Sequence, residues 1–165
     1  MAASAYNVVV RPITLAFFLI AVSCSSPPVE QPKSTATPKA PAHEPPKDHS
    51  TKLPAAGQIR SQLVADHLLG KDFMPGGNLA DYKTDLTEYQ IFVLEAADAR
   101  AAAFLLLDWK TAIPDAKYLA HMGGYYGTDQ GKPIYVFAKG PYLAGIVGLP
   151  EAKADPEARR LAAKL

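Results

Sequence analysis

The sequence predicts an α+β domain in which helices pack on one face of a mainly antiparallel sheet. Three observations lead to this prediction. Runs rich in β-branched and aromatic residues are separated by glycine turns, and helical segments are interspersed with these runs. Apart from Tyr6, Phe17 and Phe18, every aromatic residue lies between Phe73 and Tyr142, which places the core there. Such an order of helices and strands is typical of a layered α+β fold.

The first predicted helix covers residues 58–69. Its apolar residues recur at helical spacing, and Gly70 follows as a helix stop. These apolar residues are Ile59, Leu63, Val64 and Leu68.

Two further helices are predicted from their capping residues. The second covers residues 99–113, with Asp98 as its N-cap and Pro114 after its end. Its buried face is expected to be a stripe of Ala103, Phe104, Leu107 and Ile113, widened by Ala101, Leu105, Trp109 and Ala112. The last helix is expected to begin with Asp155 as N-cap and Pro156 as first helical residue, and to run to Leu165.

The predicted strands fill the rest of the domain. Residues 74–77 are interpreted as a turn before strands at 78–83 and 87–96, and residues 89–94 are apolar on both faces, as in an interior strand. Strands at 117–122, 133–139 and 142–149 follow. The last two meet at Lys139-Gly140, which predicts a β-hairpin.

The N-terminus has the features of an export signal. An apolar run at residues 13–22 follows a basic start; at about ten residues it suits a signal peptide and is too short for the roughly 20 residues of a membrane span. Residues 21–24, Ala-Val-Ser-Cys, resemble the lipobox of bacterial lipoproteins, although Ala21 stands where that pattern prefers Leu. The resemblance implies a signal peptide at 1–23 and lipid on Cys24, which would anchor the chain in a membrane. An ordinary secretory signal, with Cys24 incidental, is the alternative.

Residues 24–56 are expected to form a disordered tether. The segment is rich in proline, serine, threonine and lysine and has no aromatic residue. Such a composition cannot bury enough apolar surface to offset the entropy lost on ordering. A single domain is therefore predicted at residues 57–165.

Composition excludes several classes of function. The formal charge is +1, from 17 basic and 16 acidic residues without long runs of one sign, so we expect no nucleic-acid partner. One cysteine allows neither an internal disulfide nor a cysteine-rich metal site, and no cofactor or metal is predicted. The nearest approach to a metal pair is His121 with Asp129, which we interpret as two solvated loop residues. Residues 129–131, Asp-Gln-Gly, are interpreted as a hairpin turn.

No familiar catalytic set is present in the domain. Ser61 is its only serine after Pro54, and it lacks the Gly-x-Ser-x-Gly context that presents a nucleophile. Phosphate-cradling glycine motifs are also absent. A catalytic pair of carboxylates for glycoside hydrolysis is not excluded, since spacing in sequence does not fix spacing in space.

Residues 121–127, His-Met-Gly-Gly-Tyr-Tyr-Gly, form the most unusual cluster. Tyrosines framed by glycines suit contact with a protein or a sugar. The favoured interpretation is that Tyr125 and Tyr126 belong to a strand, one in the core and one at its rim. A ligand or partner surface would use Tyr125, Tyr126, Tyr142 and His121.

From about residue 76 onward the chain resembles an uncharacterised family of exported bacterial α+β domains. The resemblance rests on residues 124–127 (Gly-Tyr-Tyr-Gly), 133–140 (Pro-Ile-Tyr-Val-Phe-Ala-Lys-Gly) and 143–149 (Leu-Ala-Gly-Ile-Val-Gly-Leu). It implies a compact domain in the cell envelope and implies no catalytic residue.

These observations predict a non-enzymatic module of the bacterial cell envelope, held to the membrane by lipid on Cys24 and exposed to the periplasm or the exterior. It would act through contact with an envelope protein. Two alternatives are an envelope lipoprotein that binds a small ligand or glycan through its tyrosines, and a carboxylate-dependent hydrolase.

Overall fold

The computed structural model describes residues 45–84 and 87–165. The predicted signal peptide, Cys24 and the first part of the predicted tether lie outside the described residues. In the described part, seven strands form one antiparallel sheet with two α-helices. The elements are β1 (Gln58–Asp66), β2 (Pro75–Lys83), β3 (Glu88–Glu95), α1 (Ala99–Ala112), β4 (Lys117–Leu119), β5 (Gly124–Asp129), β6 (Lys132–Lys139), β7 (Tyr142–Val147) and α2 (Glu151–Ala162).

The sheet consists of two meanders that meet at its centre. Its strand order is β1-β2-β3-β7-β6-β5-β4, and every neighbouring pair is antiparallel. The first meander is β1-β2-β3 and the second is β4-β5-β6-β7, with α1 as the connection. Pairing of β3 with β7 joins them, so β3 is an interior strand, as its apolar sequence predicted.

The structure confirms a mixed, mainly antiparallel fold. The prediction that the helices pack on one face is not confirmed, because both faces of the sheet are covered. Side chains of β3 alternate between two apolar clusters: Ile91 and Val93 belong to one, Phe92 and Leu94 to the other. The buried residues of α2 belong to the first cluster, and Leu106 and Trp109 of α1 belong to the second. We call these sides the α2 face and the α1 face.

The predicted helix at residues 58–69 is wrong, because most of this segment is strand β1. Ile59 and Leu63 are four residues apart, a spacing that places side chains on one side of a helix and also on one face of a strand. Pairing with β2 decides between the two, and it gives the segment a backbone ladder from Arg60–Asp81 to Asp66–Pro75. Tertiary pairing has overridden the local pattern.

Residues 74–77 were predicted as a turn, but Gly76 and Gly77 lie inside β2. A Cβ atom on Gly76 would stand 2.2 Å from the carbonyl oxygen of Ala65 and 2.5 Å from that of Val64. Position 76 therefore requires glycine, because β1 approaches closely. The Gly-Gly pair lies where β1 and β2 are in close contact.

Helix α1 begins as predicted, but its buried face differs. The carboxylate of Asp98 accepts a hydrogen bond from the backbone N–H of Ala101 at 2.7 Å, the geometry of an N-cap. The helix buries Ala102, Leu106 and Trp109 against the sheet. Of the predicted stripe, Trp109 and Ile113 are buried, whereas Phe104 and Leu107 are exposed.

Helix α2 begins earlier than predicted. Pro150 occupies its N-cap, and Glu151 lies in the first turn, where its charge favours the helix dipole. Pro156 consequently lies inside the helix. The Asp155 side chain, predicted as an N-cap, reaches across to the sheet.

The glycine-rich segments form the predicted hairpins. Strands β6 and β7 pair from Ile134–Val147 to Lys139–Tyr142. Strands β5 and β6 are joined through Gln130 (φ 49°) and Gly131 (φ 78°), so the segment 129–131 is a hairpin turn as predicted. Tyr125 and Tyr126 belong to β5, as the favoured interpretation held, but both are half-buried, so neither lies fully in the core.

The last residues of the predicted tether lie on the sheet. Leu53 is buried in the cluster on the α2 face, and the Tyr82 hydroxyl donates a hydrogen bond to the Pro54 carbonyl at 2.7 Å. Asn78, a buried polar residue of β2, accepts a hydrogen bond from the backbone N–H of His49 at 2.6 Å. Residues 47–54 are therefore part of the folded domain, ahead of the boundary predicted at residue 57.

Replacing Gly76 by Ala should destabilise the domain by about 1–3 kcal/mol, because the new Cβ would overlap carbonyl groups of β1. Chemical denaturation of the two proteins measures the difference. Gln62→Ala, an exposed position of β1, is the control and should change the free energy of unfolding by less than about 0.5 kcal/mol. Equal stabilities of G76A and the unchanged protein would contradict the close approach of β1 and β2.

Candidate functional site

The four residues predicted to share a surface do not come together. Tyr125 packs with the cluster on the α1 face, whereas Tyr126 and Tyr142 pack with the cluster on the α2 face. His121 pairs with Asp155 of α2. The faces alternate along β5, so Tyr125 and Tyr126 point to opposite sides of the sheet. A single pocket lined by Tyr125, Tyr126 and Tyr142 is therefore not formed.

Tyr125 forms part of an aromatic pair at one edge of the sheet. It lies directly opposite Tyr118 of β4, and the two ring centroids are 5.6 Å apart. Tyr118 is 59% exposed, and Tyr125 is half-buried. Cross-strand aromatic contact stabilises the short edge strand and leaves one ring open to solvent.

The outer side of α1 continues this aromatic pair. Phe104 is 55% exposed and Leu107 is 51% exposed. Both side chains line a cleft of about 400 Å³ whose opposite wall includes Tyr125. We call Phe104, Leu107, Tyr118 and Tyr125 the apolar surface. It contains three of the five large hydrophobic residues that the described chain exposes.

One cation borders the apolar surface. The guanidinium carbon of Arg100 lies 5.5 Å from the centroid of the Phe104 ring, and Arg100 also lines the cleft. Within residues 45–84 and 87–165, no carboxylate forms a salt bridge with Arg100. Its charge is therefore available to a molecule that enters the cleft.

Phe104 also borders a second depression, of about 530 Å³. This depression lies between α1, the start of β2 and the segment that begins at Pro45. Most of its wall is apolar, with Phe73, Pro75, Ala101 and Leu105 among the lining residues. The apolar surface thus continues along α1 towards the point where the described chain begins.

A polar cluster on the α2 face surrounds Asp155. Its carboxylate contacts His121 Nε2 at 2.5 Å, accepts a hydrogen bond from the Tyr135 hydroxyl at 3.0 Å, and accepts one from Arg159 Nε at 2.8 Å. The hydrogen bond with His121, aided by those of Arg159 and Tyr135, lowers the pKa of Asp155 from 3.8 to about 2. The cluster joins the β4–β5 loop, the sheet and α2.

His121 and Asp129, considered as a possible metal pair, are engaged elsewhere. Asp129 forms a salt bridge of 2.6 Å with Lys71 on the α1 face. In the described ranges, no group of three His, Cys, Asp or Glu side chains is placed to hold a metal ion.

Tyr142 supports the N-terminal segment. Its ring makes an edge contact with the ring of His49 at 5.4 Å, and Lys52 Nζ lies 4.6 Å from its centroid. Sequence reasoning missed the buried Asn78 that holds this segment. A signal existed: Asn78 shares a strand face with Ala80 and Tyr82, where an unpaired amide would be costly.

Two acids line a depression of about 640 Å³ on the sheet, Asp81 and Glu88. A hydrogen bond from Gln90 and contact with Arg60 lower the pKa of Asp81. A glycosidase needs one carboxyl group whose pKa is raised, so that it can donate a proton. The lowered pKa of Asp81 is opposite to what a general acid requires.

Comparison with known proteins finds no matching family model and no similar curated protein. Neither described helix is long and apolar enough to cross a membrane.

Replacing Asp155 by Asn should lower stability near neutral pH by about 1 kcal/mol, a value reduced for solvent screening because the carboxylate is partly exposed. Because the folded-state pKa of Asp155 is depressed, its contribution is present above pH 4 and is lost as the pH falls towards 2. Urea denaturation of D155N and the unchanged protein between pH 2 and 7 measures this.

Asp108→Asn, at an exposed carboxyl group of α1, is the matched control and should have little effect. A stability difference between D155N and the unchanged protein that stays constant from pH 7 to pH 2 would contradict the depressed pKa.

Proposed function

We propose that this chain is a non-enzymatic, lipid-anchored module of the bacterial cell envelope, which binds a protein partner through its apolar surface. The apolar surface carries the proposal. Phe104 and Leu107 are more than half exposed on the rigid helix α1, beside a cleft bordered by Tyr125. The lipobox-like residues 21–24 and the proline-rich segment after them are the sequence features that support presentation from a membrane.

Burial of these side chains would give a partner most of its binding free energy. Exposed aromatic and aliphatic side chains that adjoin one another are typical of protein-binding surfaces, whereas single exposed ones are ordinary. Phe104 and Leu107 lie three positions apart on the same side of α1, so one partner segment can contact both. Helix α1 is held by the buried Trp109, so little ordering is needed on binding.

Arg100 defines the chemistry of the partner. It is the charged residue in the lining of the cleft, and it stacks beside Phe104. A partner segment should therefore present two or more apolar side chains next to a carboxylate. The carboxylate would pair with the guanidinium, and the apolar side chains would cover Phe104 and Leu107.

Leu107→Asp should reduce crosslinking of the chain to its envelope partner at least about tenfold, because it places a charge in the apolar contact. A photoreactive amino acid at Ala103, in the wall of the cleft, provides the crosslink in living cells. Ile59→Asp is the matched control: Ile59 is equally exposed and aliphatic but lies on β1. Arg100→Glu should also weaken the crosslink.

Crosslinks that persist in both L107D and R100E would overturn the proposed surface. Loss of the crosslink in I59D as well would show that the effect is not specific to α1. Circular dichroism of the variants confirms that each is folded.

The small-ligand alternative makes a different prediction. The 530 Å³ depression includes Phe73, whose ring lies 5.4 Å from that of the buried Trp109. A small apolar ligand bound there should change the fluorescence of Trp109. If the fluorescence of Trp109 does not change on titration with lipids and peptidoglycan fragments, the protein-binding proposal is the better supported one.

The anchor has its own test. Cys24→Ala should abolish metabolic labelling with a fatty acid and release the chain from the membrane, because the thiol is the only site for the lipid. Ser23→Ala keeps a small residue before the cysteine and should preserve labelling. Labelling that survives C24A would refute the lipoprotein assignment.

A further inference from the structure

Strand β1 is a long edge with exposed apolar side chains. It pairs with β2 on one side, and within the described residues no strand pairs with its other side. Ile59 is 61% exposed and Leu63 is 47% exposed. An edge of this kind presents unpaired N–H and C=O groups and can bind another strand. The edge at the opposite end of the sheet is β4, which has three residues.

We propose that two copies of this chain associate through β1, with the two strands antiparallel about a two-fold axis centred on Leu63. The axis is perpendicular to the sheet, so each face of one sheet continues into the same face of the other. Leu63 then contacts Leu63 of the second copy on the α2 face. Dimers of this kind use the same surface patch on both copies, and a new ladder of backbone hydrogen bonds forms between them.

Charge complementarity supports this register. With Leu63 at the centre, Arg60 of one copy lies directly opposite Asp66 of the other, and symmetry repeats the pair. Both side chains are accessible: Arg60 is 64% exposed and Asp66 is 47% exposed. Opposite charges directly across a strand pair stabilise it, whereas like charges oppose pairing.

The regular part of β1 selects the same centre. The pairing with β2 shifts between Gln58 and Arg60, so Ile59 is an extra residue at a bulge. The uninterrupted ladder extends from Arg60 to Asp66, and Leu63 is its midpoint. A register centred on Ser61 would bring Ile59 of one copy opposite Leu63 of the other. This register would include the bulge of each copy, and Asp66 would lie outside the regular pairs.

Arg60 is already held on the sheet face that Asp66 of the second copy would share. Its guanidinium forms a salt bridge of 2.8 Å with Asp81 of β2, on the α1 face. In the dimer, it would lie between Asp81 of its own copy and Asp66 of the second copy. A part of its side-chain entropy is therefore lost before the dimer forms, which favours association.

Sedimentation velocity of the full chain in mild detergent tests the proposal, with a dimer expected at micromolar concentrations. Asp66→Arg should raise the dissociation constant about tenfold or more, because two attractive pairs become two repulsive ones. The double variant Arg60→Glu with Asp66→Arg restores opposite charges and should recover the dimer. Arg100→Glu on α1 is the matched control: it should leave the dimer unchanged even where it weakens the partner contact.

A full chain that stays monomeric would overturn the proposal. So would a dimer that D66R does not weaken, or one that the double variant fails to restore. A monomer that dimerises only after residues 25–44 are deleted would show that the chain covers its own edge, and this too would overturn it. None of these outcomes bears on the apolar surface of α1, so the two proposals can fail separately.

Discussion

The pairing of β3 with β7 holds this fold together. Each strand ends one of the two meanders, and the two strands are far apart in the sequence. Their ladder makes one sheet from two, and it also brings together the residues that α1 and α2 cover. Phe92 of β3 lies opposite Gly145 of β7, so the absence of a side chain on one strand makes space for the large ring on the other. The core on the α1 face depends on this fit.

Covering both faces places the functional features on opposite sides of the sheet. The aromatic pair of Tyr118 and Tyr125 adjoins α1, whereas the cluster of Asp155 with His121 and Tyr135 adjoins α2. In the second cluster, the carboxylate of Asp155 contacts His121, Tyr135 and Arg159, and these contacts join three segments, as structural networks do. The first has exposed rings and an open cleft. This contrast is the basis of our proposal that a partner binds on the α1 face, while the cluster around Asp155 holds segments of the domain together.

Local signals predicted the elements that local chemistry controls. The N-cap at Asp98, the hairpin at Lys139-Gly140 and the turn at residues 129–131 are confirmed, because each depends on a few adjacent residues. Strand β1 was predicted as a helix, since Ile59 and Leu63 fit both periodicities and only the partner strand decides between them. The glycines at positions 76 and 77 were assigned to a turn because the approach of β1 cannot be known from sequence.

The candidate site was harder to predict for a related reason. The apolar residues of α1 extend around most of the helix, so no periodic stripe distinguishes Ala102, Leu106 and Trp109 from Phe104 and Leu107. The sheet position fixes which side is buried, and the remaining apolar residues become a surface. Tyr125 was identified from its glycine-rich context, but its partner Tyr118 becomes evident only when β4 is placed beside β5.

The segment at residues 47–54 gives the domain a defined point of mechanical attachment. The segment contacts Asn78 and Tyr82 of β2 and buries Leu53 against the sheet, all before the chain reaches β1. Tension along the preceding chain would reach these contacts before it reached β1. The force would then act on Asn78 and Tyr82 of the interior strand β2. The edge strand β1 would not be separated from the sheet one hydrogen bond at a time. A domain pulled by its N-terminus would thus resist force through the contacts of residues 47–54 with the sheet.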